Sequence, residues 1–186
     1  MSQASRQLSR LLRHTAGARG LAMTPDGWVL IEDVCKVLRM DRTALAAAVE
    51  HNDKARLEVD GDRIRACQGH SADGMQVTCE ALENSWRPVQ PVDQLWHGTN
   101  LTVLDEILRT GLHPGRRTHV HLAPSPNSHV GRRSRVDVLL GIDPAKLDQP
   151  VFQAPNGVLL VRSVPPEAIS QVLKGDAVHG ADWSGR

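Results

Sequence analysis

The feature that most restricts how this chain can fold is a change of hydrophobic period across residues 84–93, a stretch that holds Pro88 and Pro91. Before it, apolar residues recur at helical spacing; after it, they come in short runs closed by Pro, Gly or Ser. Side chains return to one face about every 3.6 residues on a helix but every second residue on a strand, so one regular element cannot serve both halves. An α+β chain follows: a helical lobe over 1–83, a linker over 84–93, a β-rich lobe over 94–175 and a loose tail over 176–186.

Within the first lobe, Leu8, Leu11 and Leu12 share a helix face after Ser5, the expected N-cap. That helix carries Arg13 and His14 at its end, ahead of the Gly17–Gly20 break. Trp28 and Val29 lead into a second helix with Ile31, Val34, Val37 and Leu38 on one face. Asp41 or Thr43 caps a third, in which Leu45, Ala48 and Val49 face inward. Leu57–Val59 and Arg63–Ala66 then flank an Asp60-Gly61 turn, a strong hairpin signal. Three helices and a hairpin make a winged helix. In the second lobe, strands are expected over 94–97, 119–122, 136–142 and 157–162, a short helix over 101–108, and loops over 113–118, 123–128 and 144–156.

Net charge is only +1, yet its distribution is uneven. Residues 1–25 carry four Arg and no acid, and residues 107–136 carry six Arg, four His and no acid. Arg presents a planar fork that matches two phosphate oxygens, so such stretches point to nucleic acid or a phosphorylated cofactor. No apolar run reaches the roughly 20 residues that span a bilayer. The first twenty residues lack the apolar core of a secretory signal, so a cytoplasmic monomer is the default expectation. Cys35, Cys67 and Cys79 are odd in number and lack CxxC spacing, which suits reduced thiols.

Rossmann, P-loop, HExxH and GxSxG signatures are absent from the sequence. His97, His119 and His121 have no carboxylate or Cys at ligand spacing, so no metal is expected. Four constellations remain: Leu8–His14; Ile64-Arg65-Ala66-Cys67-Gln68-Gly69-His70-Ser71; Leu95–Thr99 continuing through Gly111-Leu112 to Arg117–Leu122; and Gly131-Arg132-Arg133 with Asn156-Gly157-Val158. Taken singly each has a bland reading, such as Arg13-His14 complementing a helix dipole. Taken in this order they resemble the RNA 2′-phosphotransferase family of the tRNA-splicing type from Leu8 to about Ile169, a match that Gly20-Leu21, Gly27-Trp28 and Val164–Glu167 extend.

That resemblance implies an N-terminal winged-helix-like lobe and a C-terminal lobe of ADP-ribosyltransferase fold, with the substrate cleft between them. It implies NAD⁺ as co-substrate, no metal, and an RNA bearing a 2′-phosphate as partner. The 2′-phosphate attacks the nicotinamide ribose and expels nicotinamide, leaving ADP-ribose on the RNA phosphate. The 2″-hydroxyl then attacks phosphorus, giving 2′-OH RNA and ADP-ribose 1″–2″ cyclic phosphate. The catalytic work falls to Arg13, His14, Arg65 and Arg133, with Arg65 and Arg133 on the transferring phosphate. Arg13 and His14 serve the phosphate and the second-step hydroxyl, and the sequence leaves open which of the two manages the proton. Arg133 is chosen over Arg132 and Arg135 by its two-residue offset from Gly131. His97, Gly98 and Thr99 are expected to hold the nicotinamide ribose, with Ser71, His70, His121 and Val158 completing the pocket. His97, His121 and Val158 stand at the signature positions that carry His, Tyr and Glu in other ADP-ribosyltransferases. Loss of the Glu fits a phosphate monoester, which is already anionic and needs no base. Cys67 stands where Asn is usual, Ala123 where Ser is common and Arg132 where Met is usual. Two other readings compete: ADP-ribosylation of terminal phosphates of DNA or RNA, and a winged-helix regulator whose second lobe senses NAD⁺ without turnover.

Overall fold

The computed structural model describes residues 2–52, 55–128 and 136–174. The chain divides into two compact units, neither of which is one continuous segment. The first comprises Met1–Arg87, Gly115–Thr118 and Ala154–Asn156; the second comprises Pro88–Pro114, His119–Gln153 and Gly157–Arg186. Among the described residues, five α-helices and ten short strands in three small sheets make a mixed α/β protein.

In the first unit, α1 (Gln3–Arg10) is capped by Ser2, whose Oγ accepts from the Ser5 amide at 3.1 Å. The cap is therefore not Ser5, which is fully buried and accepts a hydrogen bond from Asn52 Nδ2 at 3.0 Å. Both serines satisfy the local capping preference, and burial decides between them. The helix runs on into a π-helical turn, Leu11–Thr15. After β1 (Val29–Leu30), α2 (Ile31–Leu38) buries Ile31 and Val34. Asp41 caps α3 (Arg42–Glu50) by accepting from the Ala44 amide at 2.7 Å, and Leu45 and Ala48 turn inward. The hairpin β2 (Leu57–Asp60) and β3 (Arg63–Ala66) pairs Leu57 with Ala66 and Asp60 with Arg63, and β1 adds a third strand on the far side of β3. A further helix, α4 (Cys79–Ser85), is capped by Thr78 and followed by Trp86, whose Nε1 donates to the Cys67 carbonyl at 2.9 Å.

Part of the stretch read as linker is ordered: β4 (Arg87–Val89) is an edge strand of the sheet β4-β8-β9-β6. Pro88 has no N–H to give to a ladder, and an edge position tolerates that. The second unit continues with β5 (Leu95–Thr99), α5 (Leu104–Thr110), β6 (Val120–Leu122), β7 (Val138–Ile142), β8 (Val151–Gln153), β9 (Leu159–Val161) and β10 (Ile169–Lys174). One sheet has the order β10-β7-β5, and Trp96 and Ala123 exchange a pair of hydrogen bonds that joins β5 to the end of β6. Leu122, Leu140, Ile142 and Val161 have no exposed surface and centre the core. Burial of each such side chain contributes about 1.5–3 kcal/mol. Gly111 ends α5 at φ +86, where a Cβ would overlap the Val164 carbonyl. Among the described residues, no helix is long and apolar enough to cross a membrane.

Candidate functional site

Arg6 and Arg10, Ser9 and Arg13, and Arg10 and His14 are each four residues apart, so α1 and the turn after it carry them as one stripe. Like charges at that spacing weaken an isolated helix by about 0.2–0.5 kcal/mol per pair. The stripe lines an open pocket of about 260 Å³ together with Arg56. Asn52 ties Arg56 to α1: its Nδ2 donates to Ser5 of α1, while its Oδ1 accepts from the Arg56 amide at 3.2 Å. The Arg56 carbonyl in turn accepts from Cys67 N at 2.9 Å, extending the β2–β3 pairing by one step.

Inside this pocket Arg13 Nε and Nη2 are buried and have no hydrogen-bond partner among the described residues; Ser9 Oγ is in the same condition. Leaving such a donor without a partner costs about 1–3 kcal/mol. Burial, then the neighbouring charges of Arg56 and Arg117, pull the Arg13 guanidinium down to about 10, so it stays cationic at neutral pH. His14 lies beside it, hydrogen-bonded through Nδ1 to Ser71 Oγ at 2.9 Å. Its pKa is pushed below 6.5 by burial first, and then by Arg13, Arg117, Arg10 and Arg116. The imidazole is consequently neutral at pH 7.

Ser71 ties this arrangement together. Its amide donates to the Arg13 carbonyl at 2.9 Å, and it forms a bridge with Arg117. Segment 115–118 joins the first unit through that bridge, through Ala72 N donating to the Arg116 carbonyl, and through Thr118 N donating to the His70 carbonyl. His70 is fully buried, and Gly27, at φ +93, packs on it so closely that a Cβ would stand 3.0 Å from Nε2. Arg13, His14 and Ser71 are thus brought together. The sequence reading missed Arg6, Ser9, Arg10, Arg56 and Arg116 as their neighbours. The fourfold spacing of Arg6, Arg10 and His14 was the signal available for part of that set.

Arg65 stands in a different setting. Its side chain is 6% exposed, Nε donates to Glu58 Oε2 at 2.7 Å, and Nη1 donates to the Asp26 carbonyl at 3.3 Å. The guanidinium carbon lies 4.6 Å from the centroid of the Trp28 ring. Carboxylates and an aromatic face therefore already occupy much of this cation. Arg133, with Arg132 and Arg135, lies outside the described residues.

The remaining predicted residues belong to the second unit. His97 and Thr99 sit on β5, where they pair with Leu140 and Val138 of β7. His97 Nδ1 donates to the His121 carbonyl at 2.9 Å, which leaves Nε2 as the ring's lone-pair nitrogen in the neutral form. Trp96 turns its N–H and C=O toward Ala123, so alternation along the strand turns those of Gly98 to the same edge. Among the described residues, no strand or bridge pairs with that edge at Gly98. His121 on β6 is 9% exposed and Val158 is 2% exposed. Among the described residues, no group of three or more His, Cys, Asp or Glu is placed to hold a metal ion.

Comparison with known proteins adds to this geometry. A family model described as RNA 2′-phosphotransferase, Tpt1 / KptA family, matches residues 1–163. A "Probable RNA 2′-phosphotransferase" of Burkholderia lata is 38% identical over 180 residues, covering 90% of this chain and 89% of the relative. A protein of the same description from Pseudomonas aeruginosa is 39% identical over 183 residues, covering 92% of this chain and 97% of its own length. One from Nostoc punctiforme is 35% identical over 180 residues, covering 90% and 95%.

Proposed function

Since the chain belongs to the RNA 2′-phosphotransferase, Tpt1 / KptA family and is a transferase, we propose that it moves an internal 2′-phosphate from RNA to NAD⁺. The products are RNA with a free 2′-OH, ADP-ribose 1″–2″ cyclic phosphate and nicotinamide. The observation that carries this reading is the Arg13 guanidinium, two of whose nitrogens are buried without a partner among the described residues, in a pocket lined by Arg6, Arg10 and Arg56. A phosphate dianion supplies the acceptors those donors lack and relieves the mutual repulsion of the cations.

The roles follow from protonation. A phosphate monoester has its second pKa near about 6, so at pH 7 it is already an anionic nucleophile and needs no base. A hydroxyl attacking phosphorus does need one. Arg13, held near 10, keeps its proton and acts as the charge clamp. His14, neutral and fixed at Nδ1 by Ser71, accepts the hydroxyl proton at Nε2. Arg65, oriented by Glu58 and Asp26, and Arg133 are read as further donors to the transferring phosphate. Preorganised donors of this kind stabilise developing charge without reorganising during the reaction.

NAD⁺ supplies an electrophilic anomeric carbon, a leaving group and the adjacent ribose hydroxyl. The support for it in the chain is the edge of β5 at Gly98, with which no strand or bridge pairs among the described residues and where glycine adds no side chain of its own. His97, Thr99, His121 and Val158 complete that wall in the proposal. Ser71 and His70, first assigned to the dinucleotide, are read as supports of His14 and Arg13, because that is where the hydrogen bonds of Ser71 go. Under the same reading the first unit is a winged-helix-like lobe on the RNA side, supported by its helices and hairpin. The second unit is an ADP-ribosyltransferase-like lobe, supported by its two sheets.

The test combines purified protein, NAD⁺ and a short RNA with one internal 2′-phosphate, following nicotinamide release and phosphate loss together. Equal yields of nicotinamide and cyclic phosphate are expected. Stable ADP-ribosylated RNA without cyclic phosphate would instead assign the chain to transferases that stop after one step.

A further inference from the structure

We infer that the turn over 24–28 is a positioning device for the transfer reaction: Thr24, Asp26 and Trp28 hold the Arg65 guanidinium so that Nη2 is the nitrogen left to donate to the phosphate. This rests on the reading above that Arg65 serves the transferring phosphate.

Strand register puts the parts side by side. β3 lies between β1 and β2, and Glu58 is the partner of Arg65 across β2 and β3. Across β1 and β3, Val29 pairs with Ile64 and Leu30 with Arg63, so one more step of that register sets Trp28 beside Arg65. Cross-strand partners share a face of the sheet, and a carboxylate and an aromatic ring therefore flank one guanidinium. Nε donates to Glu58 Oε2 at 2.7 Å and Nη1 to the Asp26 carbonyl at 3.3 Å. Asp26 Oδ2 stands 3.7 Å from Nη1, beyond hydrogen-bond reach, so it attracts the cation without taking a donor. The Trp28 ring, with its centroid 4.6 Å from the guanidinium carbon, attracts the cation through its face and takes no donor either. Among the described residues, Nη2 has no protein acceptor.

Thr24 has no hydrogen bond to Arg65, yet it joins both groups that orient it. Its Oγ1 accepts from the Trp28 amide at 2.9 Å and donates to Asp26 Oδ1 at 2.6 Å. Its amide donates to the Trp28 carbonyl at 2.9 Å, and its carbonyl accepts from the Gly27 amide at 2.9 Å. Gly27, at φ +93, supplies the backbone conformation that closes this turn. Thr24 itself is exposed, so packing does not account for a threonine here. Ordering a long side chain before substrate arrives removes that entropy cost from binding, and this is what the turn contributes.

Thr24→Val, Arg65→Lys and the double variant form a cycle, read with an RNA carrying an internal 2′-phosphate and the same RNA with a 2′-OH there. Two quantities are measured. One is kcat/KM for loss of the phosphate. The other is the Kd of the 2′-OH RNA divided by that of the phosphorylated RNA, which stays readable in a variant without turnover. Thr24→Val is expected to lower both by roughly threefold to tenfold, the worth of one net hydrogen bond, and Thr24→Ser to recover most of the loss. In the Arg65→Lys protein, where no guanidinium is left to orient, Thr24→Val should lower neither. Trp28→Phe weakens the ring's pull on the cation and should give the same pattern: a loss with Arg65 present and none in the Arg65→Lys protein. Losses of equal size in both backgrounds would overturn the inference, because the turn would then support the fold in general. An unchanged Thr24→Val protein would overturn it too. Wild-type values for Arg65→Lys would take Arg65 off the phosphate, and this inference with it, while leaving the proposed activity intact. No phosphate loss with the wild type would overturn the underlying reading itself.

Discussion

Two arginines of the first unit have buried guanidiniums in opposite surroundings. Arg65 lies on the Trp28 ring with Glu58 and Asp26 around it; Arg13 faces Arg56 and Arg117 and keeps two buried nitrogens without a partner among the described residues. In the first, Nε and Nη1 have protein acceptors before any ligand arrives. The second is costly as it stands, and in the proposed function an anion offsets that cost. Burial alone therefore does not separate the two; unmet hydrogen-bonding capacity does.

The largest effect that would break this contrast is at Arg13. Arg13→Met should lower single-turnover nicotinamide release by about 10²-fold or more while leaving the melting temperature unchanged or raised, because a desolvated cation among like charges is removed. A clear fall in melting temperature would show that Arg13 is a structural residue after all. Arg65→Ala should differ by lowering stability as well as turnover, costing about 1–3 kcal/mol in urea unfolding, since Glu58 is left without its partner but is partly solvated. A double-mutant cycle with Glu58→Ala sharpens the point. Near-zero coupling would mean that the ion pair holds nothing in place.

Ser71→Ala should cost about tenfold in turnover, the worth of one hydrogen bond to an active group, and Ser71→Thr should recover most of it. A positioning role also predicts a displaced acid limb in the pH–rate profile of Ser71→Ala; an unmoved limb would reduce Ser71 to packing. The smallest effect concerns the His14 titration. With its folded pKa below 6.5 and its neutral form active, turnover should persist at pH 6.5 and fall only as pH drops through that lower value. Arg117→Gln removes one of the charges responsible and should move the limb upward by a fraction of a pH unit. The same shift makes stability decline as pH falls from 6.5 toward the folded value, because the unfolded chain takes the proton first.

Legibility of the fold followed the range of the interactions involved. The hairpin at 57–66 was readable because its turn residues and alternation are local, and so was a cap at Asp41 or Thr43, of which the structure uses Asp41. The cap of α1 was misplaced by three residues, since choosing between Ser2 and Ser5 required knowing that Asn52 reaches Ser5. Strands β4, β8 and β10 escaped notice. Two are three residues long, and β10 has mostly exposed side chains, so neither run length nor alternation announces them. In the site, Arg13-His14 was visible as a motif, whereas the His14–Ser71 hydrogen bond joins residues 57 apart and Arg56 enters through Asn52.

The amino-acid sequence by itself determined the helical and strand periods, the local caps and turns, and two long runs of cations free of acids, all properties of neighbours along the chain. Only the tertiary structure decided which guanidinium meets carboxylates and which meets other guanidiniums, and that His14 is held neutral. The physical reason is that desolvation and pairing depend on which distant segments meet, and no local pattern encodes how a charge will be solvated once they do.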